Sequence, residues 1–289
     1  MCYFWGVKTV AFISLALCLL GSCKSGAEDG EGNDGTSQDA EGFRVEPPSI
    51  SYTVLDAHPH DTAAFTQGLE VHEGFLYEST GLVGRSSLRK TDMRTGKVLL
   101  SKALDSPYFA EGITVMNDTL YQLTWQNHEV FLYRAKDLKP IGKLNWSADG
   151  WGITHDARSL YISDGSDKIY VVRPRDLKLE RVVSVQDNAG PVNNLNELEF
   201  IDGHIYANRW QYDYIVKVDP STGQVKARID LAGILERNSK ASTSYLTAPG
   251  SVGEQNGAVL NGIAWDSARK RLLVTGKLWP HVFELQSGL

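Results

Sequence analysis

The chain has no cysteine beyond residue 23, no cluster of basic residues and, past its first twenty residues, no long apolar run. Its three cysteines, Cys2, Cys18 and Cys23, lie together near the N-terminal end. A thiol nucleophile, a thiolate metal site and a disulfide framework are therefore excluded from the rest, which must hold together by core packing and sheet pairing. Lys and Arg total 29 against 35 Asp and Glu, and without a clustered basic face nothing fits a nucleic-acid footprint. The seven histidines show no metal-protease spacing, and His58 with His60 lacks further ligands at zinc spacing. There is no Gly-x-Ser-x-Gly elbow and no phosphate-binding loop. Helical periodicity is nearly missing too, with a short candidate only around Leu231 to Arg237.

What the chain does contain starts with a short leader. Lys8 and the amino terminus precede an apolar stretch from Val10 to Leu20. A membrane-spanning helix needs about 20 apolar residues, so this stretch reads as the core of a signal peptide over residues 1–22. The residues Leu20-Gly21-Ser22-Cys23 resemble the lipobox of bacterial lipoproteins. That resemblance implies cleavage before Cys23, lipid on its sulfur, and an exported protein anchored at the periplasmic or cell-surface face of a bacterial membrane. Residues 23–50 read as a tether, with Glu28, Asp29, Glu31, Asp34, Asp39 and Glu41 against Lys24 among Gly and Ser, a composition that stays solvated. Most of the net charge of −6 lies there, and the remaining domain, 51–289, is nearly neutral.

From Ser51 onward, short alternating segments are punctuated by Gly and Asp, the pattern of strands and tight turns. The same unit returns five times. Its opening residues are Gln67-Gly68-Leu69, Glu111-Gly112-Ile113, Trp151-Gly152-Ile153, Asn196-Glu197-Leu198 and Asn261-Gly262-Ile263, at intervals of 44, 40, 45 and 65 residues. Turns follow, such as His72-Glu73-Gly74, Met116-Asn117-Asp118 and Asp202-Gly203, and then second strands such as Phe75 to Ser79 and Thr119 to Leu123. Third and fourth runs fit each period, as at Ser87 to Lys90 and Lys97 to Lys102. Four strands in about 40 to 45 residues mark a propeller blade. The expected fold is all-β, a five-bladed β-propeller, with an insertion from Ala232 to Val259 before the last unit. That unit stops after its third strand at Phe283-Glu284-Leu285, so the spare strand Ser51 to Leu55 is expected to complete it and close the ring. An irregular β-sandwich would explain neither the period nor the spare strand.

In a hairpin, the first residue of one strand and the last residue of the next share an end. This places Gln67 beside Ser79 and Thr80, Glu111 beside Trp125, Trp151 beside Asp164, Asn196 and Glu197 beside Trp210, and Asn261 beside Lys277. If the first strands line a central channel, all of these crowd one mouth of it. Aromatic walls with a few polar groups suit a small-ligand site, and a carboxyl among Trp rings is expected to have a raised pKa, fit for moving protons near neutrality. Each member also has a structural explanation. Trp rings pack between sheets, Lys277 could end a strand in water, and Glu111 or Glu197 could accept from backbone donors between blades. Glu111 is the best single candidate for chemistry, because Gln67, Trp151, Asn196 and Asn261 hold the corresponding positions uncharged.

Eight phrases in order carry a wider resemblance: Phe65-Thr66-Gln67-Gly68-Leu69, Phe109 to Thr114, Leu123-Thr124-Trp125, Gly150 to Thr154, Asn196 to Glu199, Ala207 to Trp210, Leu260 to Ala264 and Thr275 to Pro280. Over Ser51 to Leu285 the chain resembles the plant-type glutaminyl-peptide cyclotransferases, and their bacterial relatives most. The resemblance implies a five-bladed propeller that converts the N-terminal glutaminyl residue of a peptide or protein to pyroglutamate with release of ammonia. The family's essential acid falls on Glu111, as general acid and base, and its accompanying positions match Phe65, Gln67, Phe109, Trp125, Trp151, Asn196, Trp210 and Lys277. On this reading Asn196 and Lys277 hold the amide oxygen, the aromatic rings enclose the glutaminyl side chain, and Gln67 orients the amine or the amide. No cofactor and no catalytic metal is required, although the resemblance allows a structural metal ion in the central channel. The unrelated animal enzymes of this activity are zinc proteins, which this chain does not resemble. The expected partners are peptide substrates, with no nucleic acid and with membrane contact through the lipid anchor alone; the domain is expected to be a monomer. Two other readings stay open: a non-catalytic propeller that binds peptide N-termini or another small ligand, and a lactonase-like enzyme. The latter needs a ring of metal-binding carboxylates where Gln67, Trp151 and Asn261 stand here.

Overall fold

The computed structural model describes residues 46–239 and 257–289. The expected signal peptide, Cys23, most of the tether and the middle of the insertion lie outside the described residues. No helix among the described residues is long and apolar enough to cross a membrane.

The described chain opens with β1 (Tyr52–Pro59). Blade 1 follows as β2 (Thr66–His72), β3 (Phe75–Thr80), β4 (Ser87–Thr91) and β5 (Val98–Ala103). Blade 2 is β6 (Ala110–Met116), β7 (Thr119–Thr124), β8 (Glu129–Arg134) and β9 (Lys139–Asn145). Blade 3 is β10 (Ile153–His155), β11 (Leu160–Ser163), β12 (Lys168–Val172) and β13 (Leu179–Ser184). A two-residue ladder, β14 (Gln186–Asp187) with β15 (Gly190–Pro191), separates it from blade 4. Blade 4 is β16 (Leu195–Ile201), β17 (His204–Arg209), β18 (Tyr214–Val218) and β19 (Val225–Asp230). The short helix α1 (Ile234–Asn238) falls where the helical spacing was seen, and β20 (Leu260–Asp266), β21 (Arg271–Gly276) and β22 (His281–Ser287) end the chain. Each blade is a four-stranded antiparallel sheet, and β1 supplies the outer strand of the fifth by pairing with β22, Tyr52 opposite Ser287 through Pro59 opposite His281. The expected closure is therefore present, with a closing strand longer than Ser51 to Leu55.

Local chemistry explains the hairpins. Glu73-Gly74, Asn117-Asp118 and Asp202-Gly203 all take positive φ at both central positions, the geometry whose twist matches the flanking strands. Where the turn is longer, an Asp side chain organises it: Asp156 Oδ1 accepts from the N–H groups of Arg158 and Ser159, both at 2.7 Å.

The first strands do not run as simple ladders. Register breaks occur between Thr66 and Gly68, Ala110 and Ile113, Leu195 and Leu198, and Leu260 and Ile263. In blade 3 the strand begins only at Ile153, so Trp151 precedes it instead of opening it. Each bulge frees one or two residues from pairing and re-aims their side chains. The freed positions include Gln67, Glu111, Asn196 and Asn261.

Just below them, neighbouring blades touch backbone to backbone. A Cβ on Gly68 would stand 2.4 Å from Ile113 N, one on Gly112 2.7 Å from Trp151 O, and one on Gly152 2.0 Å from Asn196 O. Only glycine permits that approach. Apolar packing then fills the five seams between blades. Tyr77, Ile113 and Tyr133 join blades 1 and 2; Leu123, Ile153 and Leu160 join 2 and 3; Ile169, Leu198 and Val216 join 3 and 4; Ile215, Ile263 and Phe283 join 4 and 5. The closing seam is the smallest, with Leu69, Leu76, Ala264, Leu273 and Val282.

The contact at Gly152 yields a stability prediction. Gly152→Ala is expected to cost about 1–3 kcal/mol or more through overpacking, read as a lowered urea midpoint at unchanged slope. Gly142→Ala, whose nearest neighbour is Leu132 Cδ1 at 3.8 Å, should leave the midpoint nearly in place.

Candidate active site

Glu111 leaves the bulge that opens β6 and is 5 % exposed. Among the described residues nothing donates a hydrogen bond to its carboxylate, and no cation lies within ion-pairing distance. Burial without donors disfavours the charged form. Its pKa is pushed well above the ordinary value of 4.5, first by desolvation; Lys277 opposes the shift and Asp149 adds to it.

Lys277 follows β21 and is 2 % exposed. Burial brings its pKa down to about 8, with Glu111 acting in the opposite direction. Its Nζ donates to Gln67 Oε1 and sits 4.5 Å from the centre of the Phe65 ring. Asn261 Nδ2 donates to Thr66 O at 3.0 Å and reaches the same Gln67 oxygen at 3.5 Å. Gln67 is thus oriented with its oxygen toward two donors, and its amide nitrogen remains for another molecule.

Asn196 lies in the bulge of β16, buried, with Oδ1 lacking a partner; Trp151 Nε1 on the neighbouring blade is likewise buried and unpartnered. Two such orphans on neighbouring blades call for an explanation. The aromatic side chains form two groups. Phe65 meets Phe109 edge to face at 6.2 Å, and Phe109 meets Trp125 at 5.9 Å. Opposite, Trp151 and Trp210 pack perpendicular at 5.8 Å. Trp125 and Trp210 are 38 % and 37 % exposed, which sets them apart from Trp rings packed in a core. Two glycines seat the rings: a Cβ on Gly81 would stand 2.5 Å from Phe109, and one on Gly165 2.6 Å from Trp151.

Glu197 stands in the alignment where other blades have Gly, and its environment differs from that of Glu111. Its Oε2 accepts from Ile263 N at 2.7 Å and its Oε1 from Leu69 N at 3.3 Å. It is a buried bridge among blades 4, 5 and 1, the structural alternative considered for both acids. Further down, Glu70 accepts from Thr114 Oγ1 at 3.0 Å and Glu199 from Trp265 N at 3.0 Å. These channel acids are each held by a neighbouring donor and do not converge as a three-ligand set. The described group of three ligand atoms within 4.8 Å of one another is His72, Glu73 and Asp118, at the hairpin turns. His58 and His60 are also committed elsewhere, bonding Glu284 at 3.0 Å and Glu78 at 2.9 Å.

Sequence reasoning missed Asp149. It lies two residues before Trp151 in the loop between β9 and β10, half-buried, with no partner for its carboxylate among the described residues. The loop is pinned by Trp146 Nε1 donating to Asp149 O at 3.1 Å and Gly150 N to Trp125 O at 3.4 Å. An acid two positions before a site Trp was the available signal.

The chain is similar to known proteins along most of its length. The family model described as glutamine cyclotransferase matches residues 30–287. A glutaminyl-peptide cyclotransferase from Arabidopsis thaliana is 40 % identical over 236 residues, covering 81 % of this chain and 70 % of that protein. The crystal structure of Myxococcus xanthus glutaminyl cyclase superposes with a TM-score of 0.74 at 33 % identity, covering 84 % of this chain and 98 % of that one.

The raised pKa of Glu111 also predicts a stability signature. Its folded value lies above the unfolded one, so the native state binds the extra proton and stability falls as pH rises through the window between them. Glu111→Gln removes that dependence, and thermal melts from about pH 4 to 8 should show the variant gaining on the parent as pH rises. Parallel curves for the two proteins would contradict the assignment.

Proposed function

The chain belongs to the glutamine cyclotransferase family, and we propose that it turns over peptides with an N-terminal glutaminyl residue through proton transfer by Glu111. It is a glutaminyl-peptide cyclotransferase. The observation that carries the mechanism is a buried carboxyl without donors, facing a buried lysine within an aromatic enclosure.

In the reaction the α-amine nitrogen attacks the side-chain amide carbon of the same residue. The new N–C bond closes the ring, the amide nitrogen departs as ammonia, and no water is consumed. The attacking nitrogen must lose a proton and the departing nitrogen must gain one. Glu111 can take the first and return it to the second, because a carboxyl whose pKa is raised by burial holds a proton more readily than an ordinary carboxylate and can still give it up. Negative charge develops on the amide oxygen, and the Lys277 ammonium, held by Gln67, is the donor suited to it. Asn196 carries a primary amide with no partner at Oδ1. A second primary amide, that of the glutaminyl side chain, complements it with donor to acceptor and acceptor to donor. Phe65, Phe109, Trp125, Trp151 and Trp210 enclose the side chain and keep water from the intermediate.

This reading routes each proton through Glu111 and each developing charge to protein donors, so it needs no metal. Export and attachment through Cys23, with the domain acting as a monomer, complete the proposal; they rest on the leader, the Leu20 to Cys23 motif and the cysteine-free remainder.

Incubating a Gln-initiated peptide with the protein and following ammonia loss by mass spectrometry tests the reaction. Glu111→Gln should lower kcat/KM by about 100-fold or more while folding is retained, and chelation should leave turnover unchanged. Near-normal turnover by the folded variant would overturn the mechanism.

A further inference from the structure

Beside the mouth, on the blade 4 side, lies a cavity of about 430 Å³ that the cyclisation does not use. Such a volume is in the range of small-ligand sites. Among the described residues its floor is apolar, with Leu231, Ile234, Leu235 and Trp279 all buried. Trp279 Nε1 is buried there without a partner. Its rim carries two exposed acids, Asp213 and Glu236.

The cavity borders the site described above. Trp210 lines both, Leu260 in its wall directly precedes Asn261, and a Cβ on Gly257 would stand 3.8 Å from the Phe65 ring. Its field is negative. The Asp213 carboxyl is pushed up first by partial burial and then by Glu236 and Asp230, with no cation offsetting them. Neither Asp213 nor Glu236 has an ion-pair partner among the described residues, although Arg237 lies close to Gly233.

We propose that this cavity is the subsite for the residue following the N-terminal glutaminyl, and that it selects a long side chain with a cationic end, lysine or arginine. The methylenes lie on the apolar floor and the charge reaches the two rim acids, the arrangement long basic side chains favour. This rests on the reading of the chain as a cyclase of peptide N-termini and adds the class of peptide preferred.

The test compares kcat/KM for Gln-Arg-Ala, Gln-Lys-Ala, Gln-Ala-Ala and Gln-Glu-Ala peptides. Rim ion pairs are individually modest, so the basic peptides should exceed the Glu peptide by about three- to tenfold, with the ratio shrinking as salt screens the charges. In the double variant Asp213→Asn, Glu236→Gln the ratio should fall to near one while Gln-Ala-Ala turns over as before. Equal rates in the parent, or a preference that survives in the double variant, would overturn the subsite. Failure of every peptide to cyclise would instead overturn the underlying reading, and the subsite with it.

Discussion

The structure depends on how closely the first strands of adjacent blades can approach around the channel. At Gly68, Gly112 and Gly152 no side chain stands between one blade and the backbone of the next. At this level Glu197 replaces glycine in blade 4 and instead reaches across, accepting from the backbone of Leu69 in blade 1 and Ile263 in blade 5. Close approach at three of the five seams, and a carboxylate bridge from blade 4 to blades 5 and 1, set the width of the ring. The bulges lie one residue above: Gln67 precedes Gly68, Glu111 precedes Gly112, Asn196 precedes Glu197 and Asn261 precedes Gly262, each inside a register break. Gln67, Glu111, Asn196 and Asn261 are released toward the mouth for that reason.

Two buried glutamates on the same ring show how little separates a structural from a chemical group. Burial raises the pKa of both well above the carboxylate range. Glu197 is surrounded by backbone donors whose directions are fixed by the sheet, and those donors oppose the shift. Glu111 has no donor, only the charge of Lys277 against that of Asp149. A group with fixed donors loses hydrogen bonds when it moves a proton; a group without them does not. That difference, not burial or charge, separates the roles proposed for them.

Much of this was legible before the coordinates. The 40- to 45-residue period, the three-strand last unit and the spare strand near Ser51 determine the number of blades and the closure, because repeat length and strand count are properties of the sequence itself. The convergence of Gln67, Glu111, Trp125, Asn196 and Lys277 follows from hairpin geometry once the first strands line the channel. Less visible was the bulge at each first strand, since a bulge is defined by what lies opposite and not by the strand that contains it. For the same reason Glu197 read as a second candidate acid: its two donors, Leu69 and Ile263, come from blades 128 and 66 residues away. The acidic cavity drew on residues 210–213, 231–236, 257–260 and 279, four separate stretches with no common motif.

The seam that closes the ring is also where much of the candidate site is assembled. Its apolar cluster is the smallest of the five, and polar links compensate. His60, just beyond β1, bonds both Glu78 of blade 1 and Trp279 O of blade 5, and Arg89 reaches Asp61 at 2.7 Å. The same seam aligns the two ends of the chain. His60 N donates to Pro280 O at 2.9 Å and Leu278 N to Ala64 O at 2.7 Å. These bonds flank Lys277 on one side and Phe65 with Gln67 on the other, and Asn261 Nδ2 crosses to Thr66 O between them. The lysine, its glutamine partner and the phenylalanine beneath them therefore come together only when the first and last blades have joined. Closing the propeller and building the proposed pocket for a developing oxyanion are one event, because the chain reaches Lys277 from the last blade and Gln67 from the first.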